Sequence, residues 1–253
     1  MQIGPWRIWP YTQRLVAGVT LALLWAWVLA PRRGLDRRRL AGLIWSLAAG
    51  ALLGGRMAYV LAHTRYFTAR PGEILALRQI GGLHGSGAWL GGALALVIWV
   101  RWTRATWHPL LRLLLPAALL VAAGAWWGCA DAGCAWGRET VHAPPTLRWL
   151  VVDAPDLYHT FRPRYAVQWI AALLALVMGG LGMLFPRLGC LSAASYMLGV
   201  AGLSGLRADP TTMLAGYRLD GWIHLGFAVG LVGLHIVGRS PPSTPVRVKK
   251  ERL

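Results

Sequence analysis

The chain has 253 residues, 56% of them hydrophobic and only 14% charged, with a mean hydropathy of +0.48. A soluble domain carries charge on about a quarter of its residues, so this composition excludes a soluble globule and a disordered chain and points to a polytopic membrane protein. Three cysteines are too few to staple a fold, and the net charge of +17 lies in short Arg-rich segments between apolar runs, which is a topology pattern and not a nucleic-acid groove.

A helix needs about 20 residues to cross the hydrocarbon core. By that measure the sequence predicts an all-α fold with seven spans. In chain order they are Tyr11 to Ala30, Leu40 to Ala62, Gly82 to Val100, Pro109 to Gly128, Ala166 to Pro186, Cys190 to Leu206 and Gly221 to Gly238. The third and sixth are rich in Gly and Ser, which suits close helix contact or a broken helix beside a cavity. The first run is followed by Pro31-Arg32-Arg33 and reads as a retained span rather than a cleaved leader. Trp102, Trp107, Trp126, Trp127 and Trp136 fall near the ends of runs, as an interfacial belt requires.

The connecting segments set the orientation. One side collects 14 basic residues against Asp36 and Glu251, and the other 12 against seven carboxylates. The richer side is expected in the cytoplasm, with the N-terminus outside and the C-terminus inside. Residues 1–238 then form one transmembrane domain with an external loop over 129–165, and 239–253 form a disordered basic tail. No carboxylate lies mid-span and no inverted repeat is present, which counts against a transporter.

Several residues carry candidate chemistry. Arg56 lies inside an apolar run, where a charge usually faces a cavity or a partner; it binds an anionic headgroup, snorkels to the external surface or pairs with a carboxylate such as Asp209. His84 sits in a Gly-rich entrance to the third span, and its near-neutral intrinsic pKa suits a general base toward a thiol. Cys129 and Cys134 offer a disulfide, whereas a zinc site would need a second ligand pair that the chain lacks. Arg138 on a Gly-rich turn suits phosphate contact. Gln168 lies one turn into the fifth span, where a polar group faces protein, and Tyr196 is mid-span, where it either donates to a headgroup or packs. Arg207 and Asp209 close the sixth span, while His224 and His235 read as packed or interfacial. Arg56, Arg138, Arg164 and Arg207 come from four segments that one bundle can bring together around an anionic lipid or a departing phosphate.

Taken in order, these motifs resemble the prolipoprotein diacylglyceryl transferases. The likeness begins at Ile3-Gly4-Pro5-Trp6-Arg7-Ile8 with Tyr11, and continues through Arg32 to Asp36 and Gly54 to Val60. It then takes in the Gly81-Gly82 pair, Gly133 to Arg138, Arg164 to Gln168, Tyr196 and Arg207 to Pro210. The resemblance implies transfer of a diacylglyceryl group from phosphatidylglycerol to the lipobox cysteine of prolipoproteins in the bacterial cytoplasmic membrane, without metal or cofactor. It implies Arg56, Arg138 and Arg207, with Tyr11, Gln168 and Gly137, at the phosphatidylglycerol headgroup, and His84 or Tyr196 acting on the thiol. The chain also departs from the family pattern. Aligned on Gly137-Arg138, Trp126 stands where the family has Arg, Cys129 and Ala132 where it has Asn, and Cys134 where it has Glu. The family histidine falls on Ser86, two residues after His84. Val200 and Ser204 replace a family Arg and Glu. A member that binds anionic lipid or a membrane partner without catalysis is the alternative.

Overall fold

The computed structural model describes residues 2–3, 6–7, 10–77, 82–140, 142–156 and 158–238. Gly81 and the basic tail after Gly238 lie outside the described residues. Helices dominate: α1 (Pro10–Leu29), α2 (Arg37–Ala62), a short α3 (Thr64–Ala69), α4 (Gly85–Thr103), α5 (Trp107–Ala132), α6 (Val167–Leu184), α7 (Gly189–Ser204) and α8 (Leu219–Val237). Three small antiparallel hairpins accompany them, β1 (Gln2–Ile3) with β2 (Trp6–Arg7), β3 (Val151–Pro155) with β4 (Phe161–Tyr165), and β5 (Met213–Leu214) with β6 (Tyr217–Arg218). The expected all-α fold is therefore supplemented by hairpins in the connections, where short extended segments satisfy backbone groups that no helix takes up.

Five helices, α1, α2, α5, α6 and α8, are long and apolar enough to cross a membrane. The two remaining long helices, α4 and α7, are those whose Gly and Ser content stands out in the sequence, and α7 has only 16 residues. Helix α5 runs on to Ala132, so Cys129 lies in its last turn and not in the following loop. Gly133 closes that helix at φ +68°, a left-handed position that glycine adopts without steric cost. At the other end Asp36 caps α2, its carboxylate accepting from the backbone N–H of Arg38 and Arg39.

Packing follows the small residues. Helices α2 and α4 cross at Gly50 and Gly54 on one side and Gly87 and Gly91 on the other. A Cβ at Gly91 would run into the Gly50 carbonyl and the Gly54 Cα. Two glycine pairs at a spacing of four, one on each helix, form the small-residue seam that lets helices approach closely in lipid. The Gly54-Gly55 surface is covered by α4 and its entrance, Gly54 by Gly87 and Gly91 and Gly55 by His84 and Ala88. The largest buried cluster lies between α5, α6, α7 and α8 around Leu119, Ala171, Ala175, Tyr196, Met197 and Val200. A second joins the opposite ends of α1, α2, α4 and α5 through Ala30, Leu40, Leu43, Val100 and Leu113. Elsewhere large apolar side chains face outward, among them Trp45, Leu61 and Leu173, as expected of helices solvated by lipid.

Candidate active site at one end of the bundle

The end of α5, the start of α6, the end of α7 and the start of α8 meet at one end of the bundle, joined there by the entrance to α4. Arg207, just beyond α7, donates from Nε and Nη2 to both Asp209 carboxylate oxygens at 2.8 and 2.6 Å, and from Nη1 to Asp220 at 2.5 Å. Arg218 completes the ring. Its Nη2 donates to Asp209 at 3.0 Å, its Nε to Asp220 at 3.2 Å, and its Nη1 to the Asp209 carbonyl at 2.7 Å. Two arginines and two aspartates thus form a charge-neutral set, and Arg218 and Asp220 are both buried. Ion pairs this far from water survive only when every charge is matched and hydrogen-bonded, a condition met here. Asp209 therefore pairs with Arg207 and Arg218, and not with Arg56 as one sequence expectation had it.

Around this ring stand the aromatic and histidine groups. The Arg207 guanidinium lies 5.7 Å from the centroid of the Trp126 ring, within cation–π reach. Trp126 Nε1 donates at 2.9 Å to the hydroxyl of Tyr196, which is only 1% exposed in the core. His224 is buried one turn into α8, with Nδ1 beside the Asp220 carbonyl. His84 sits just ahead of α4, outside the helix, and its backbone N–H donates to the Gly55 carbonyl at 2.9 Å. Its Nδ1 is buried and makes no hydrogen bond to any described residue. Burial holds the His84 imidazole below the ordinary histidine range, opposed by the negative charge of Asp220 and reinforced by Arg207. Burial thus favours the neutral imidazole over its protonated form.

Arg56 has a different task. It is buried in α2, and its Nε, Nη1 and Nη2 donate to the carbonyls of Ile74, Gly82 and Glu73 at 2.6, 3.0 and 2.8 Å. Its guanidinium also lies 5.1 Å from the Phe67 ring centroid. It pins the segment that leads into His84. Gly82 makes this possible: it adopts φ +81° and lies against the Tyr59 ring, where no Cβ has room.

The Gly137-Arg138 pair joins the ring from the loop side. Arg138 N–H donates to the Leu206 carbonyl and Ala208 N–H to the Trp136 carbonyl, so this strip forms a short antiparallel bridge with the backbone of Arg207. A Cβ on Gly137 would collide with the Tyr165 carbonyl. The Arg138 side chain is exposed and, among the described residues, donates from Nη2 to the Gly205 carbonyl. Gln168, buried in the first turn of α6, donates to the Cys134 carbonyl at 3.0 Å. Cys129 and Cys134 are joined by a disulfide that spans the end of α5. Tyr11 in α1 packs on Gly128 in the last turns of α5. Arg164 is buried and bonded to Asp156 at 3.1 Å, not to the carboxylates of the ring.

The structure therefore gathers Arg207, Tyr196 and His84, with Gly137 and Arg138 bonded to the Arg207 strand. Arg56, Gln168 and Tyr11 hold the segments that frame the group. Sequence reasoning missed Arg218 and Asp220. The signal for them was present: two charges, Arg218 and Asp220, flank the first residue of an otherwise apolar helix, and such charges demand partners.

This fold and site define a multi-helix protein with apolar, lipid-facing helices and a buried, charge-balanced arginine–aspartate cluster at one bundle end. Comparison with known proteins makes the class specific. The prolipoprotein diacylglyceryl transferase family profile matches residues 1–235, and the chain belongs to that family. Among its relatives are proteins named phosphatidylglycerol–prolipoprotein diacylglyceryl transferase. The one from Synechococcus elongatus is 29% identical over 92% of this chain and 85% of its own length. The one from Gloeobacter violaceus is 30% identical over 94% of this chain and 92% of its own.

Proposed function

We propose that this chain is a transferase of lipoprotein biosynthesis that moves a diacylglyceryl group from phosphatidylglycerol to the lipobox cysteine of prolipoproteins. Family membership across residues 1–235 carries the reading. In the same reading residues 1–238 form one domain of seven spans, α1, α2 and α4 to α8. The N-terminus lies outside and the C-terminus in the cytoplasm of a bacterium, and the arginine bias of the connecting segments supports this orientation. The segment between α5 and α6 is then an external loop beside the site.

The reaction needs two things: a thiolate, and stabilisation of the phosphate that departs. The cysteine sulfur attacks the glyceryl carbon, a C–S bond forms, the C–O bond to phosphate breaks, and glycerol phosphate leaves. His84, partly exposed at the entrance to α4, is the imidazole that takes the thiol proton. Arg138 is the guanidinium best placed to meet phosphate, because it is exposed and most of its donors remain toward solvent. Arg207 spends three donors on Asp209 and Asp220, whose carboxylates also balance its charge. Arg56 acts by holding the entrance segment, and Tyr196, enclosed in the core, orients Trp126.

A second reading, a lipid-binding member without transferase chemistry, is favoured by one observation. The residues at the altered family positions are committed to structure. Cys129 and Cys134 are bonded to each other, Trp126 is bonded to Tyr196, and Ser204 donates to the Val200 carbonyl in the core. The deciding experiment places purified protein in phosphatidylglycerol vesicles with a fluorescent lipobox peptide and its Cys→Ala version. A cysteine-dependent mass gain of one diacylglyceryl group is expected. Folded protein that binds phosphatidylglycerol and never modifies the peptide would establish the second reading.

A further inference from the structure

The opposite end of the bundle carries a feature that the transfer reaction does not use. The start of α5, the end of α6, the start of α7 and the end of α8 enclose a cavity of about 150 Å³. Its walls include His108, Arg112, Arg187, His235 and Cys190, with Gly238 at the rim and no carboxylate among the described lining residues. Asp36 is the one acid among the described residues in the connections at this end, and it is engaged in capping α2. Gly238 lies so close to the His108 ring that a Cβ there would overlap it. Arg112 and Arg187 thus face the cavity with no carboxylate among its described lining residues, which makes it a candidate anion site.

A second groove opens beside it and shares Pro186 and Arg187. Its other walls are Leu184, Phe185 and Leu188. Leu184 is 74% and Phe185 54% exposed on the turn that carries Arg187. An isolated phosphate ester would use only the first cavity. A cationic cavity continuous with an exposed apolar groove matches a molecule that is anionic at one end and hydrocarbon at the other. Basic pockets between helix ends at a membrane surface are suited to phospholipid headgroups.

We propose that this cleft binds one anionic phospholipid from the leaflet opposite the candidate active site. Arg112 and Arg187 hold its phosphate, and Leu184, Phe185 and Leu188 lie along an acyl chain. The site is independent of the transfer chemistry. Both arginines are exposed, so removing them leaves the core untouched.

The test uses the full chain, delipidated in neutral detergent and supplied with phosphatidylglycerol or phosphatidylcholine, with bound lipids counted by native mass spectrometry. Wild type is expected to retain one more phosphatidylglycerol than Arg112→Ala/Arg187→Ala, with no such difference for phosphatidylcholine. Equal retention by both proteins overturns the proposal. So does displacement by soluble glycerol phosphate at the lipid's own concentration, which would make the cavity a small-phosphate site. Cys190 provides a readout that needs no variant, because it is the one cysteine outside the disulfide. Its alkylation by a neutral maleimide should slow several-fold when phosphatidylglycerol replaces phosphatidylcholine, and an unchanged rate refutes occupancy of the cleft.

Discussion

Arg207→Ala is the most informative single perturbation of the candidate site. It removes three charge-assisted hydrogen bonds, two to Asp209 and one to Asp220, and leaves two carboxylates facing Arg218 alone. Asp220 is 3% exposed, so water cannot take over the lost contacts. Breaking a buried ion pair by deleting one partner costs about 3–5 kcal/mol, or two to four orders of magnitude in the folding constant. The companion change Asp220→Ala should cost a similar amount. The double variant restores charge balance between Asp209 and Arg218, so its cost should fall short of the sum by about 2–3 kcal/mol. Unfolding of the full chain in mixed micelles with increasing dodecyl sulfate, followed by tryptophan fluorescence, measures all three, and Trp126 stands beside the mutated group. Strictly additive losses would refute the idea of a closed four-charge ring. A loss below about 1 kcal/mol for Arg207→Ala would show that water reaches the site and that the pairs act as exposed ones.

Arg138→Ala offers the contrast: with one side-chain bond to a carbonyl, it should change stability by less than about 1 kcal/mol while lowering transfer at least about tenfold, measured by peptide lipidation against the same micelle unfolding curve. Cys129→Ser/Cys134→Ser, or reduction of the wild type, opens a short loop and should cost about 2 kcal/mol by chain entropy, seen as an earlier unfolding midpoint. Gly91→Ala sets a methyl group against the Gly50 and Gly54 backbones, which cannot yield as a flexible side chain would, and should destabilise the α2–α4 pair by about 1–3 kcal/mol in the same assay. Backbone N–H donors, chiefly that of Thr160, together with Arg164 hold the Asp156 carboxyl below the usual carboxylate range. Its contribution is therefore complete above the ordinary aspartate pKa and lost as pH falls through the lower folded value. Proteolysis of the 151–165 hairpin should rise in acid below about pH 4, and Asp156→Asn should remove that acid dependence.

The sequence by itself determined the helices and the family. Long apolar runs broken by arginine clusters define helix ends to within a few residues, because lipid tolerates neither charge nor unpaired backbone along a span. The order of motifs from Tyr11 to Arg207 identified the family because each motif depends only on local residue identity. Tertiary structure decided what the polar residues do. Arg56, Arg138 and Arg207 read alike in the sequence, as candidate cations for a lipid headgroup. Folding bonds the first to three carbonyls and the third to two aspartates, and leaves the second exposed. Charge and hydropathy are properties of single residues and can be read along the chain. Whether a guanidinium is already satisfied depends on groups elsewhere in the chain, such as Asp220, 13 residues from Arg207, and Gly82, 26 from Arg56, and only packing brings those within hydrogen-bond distance.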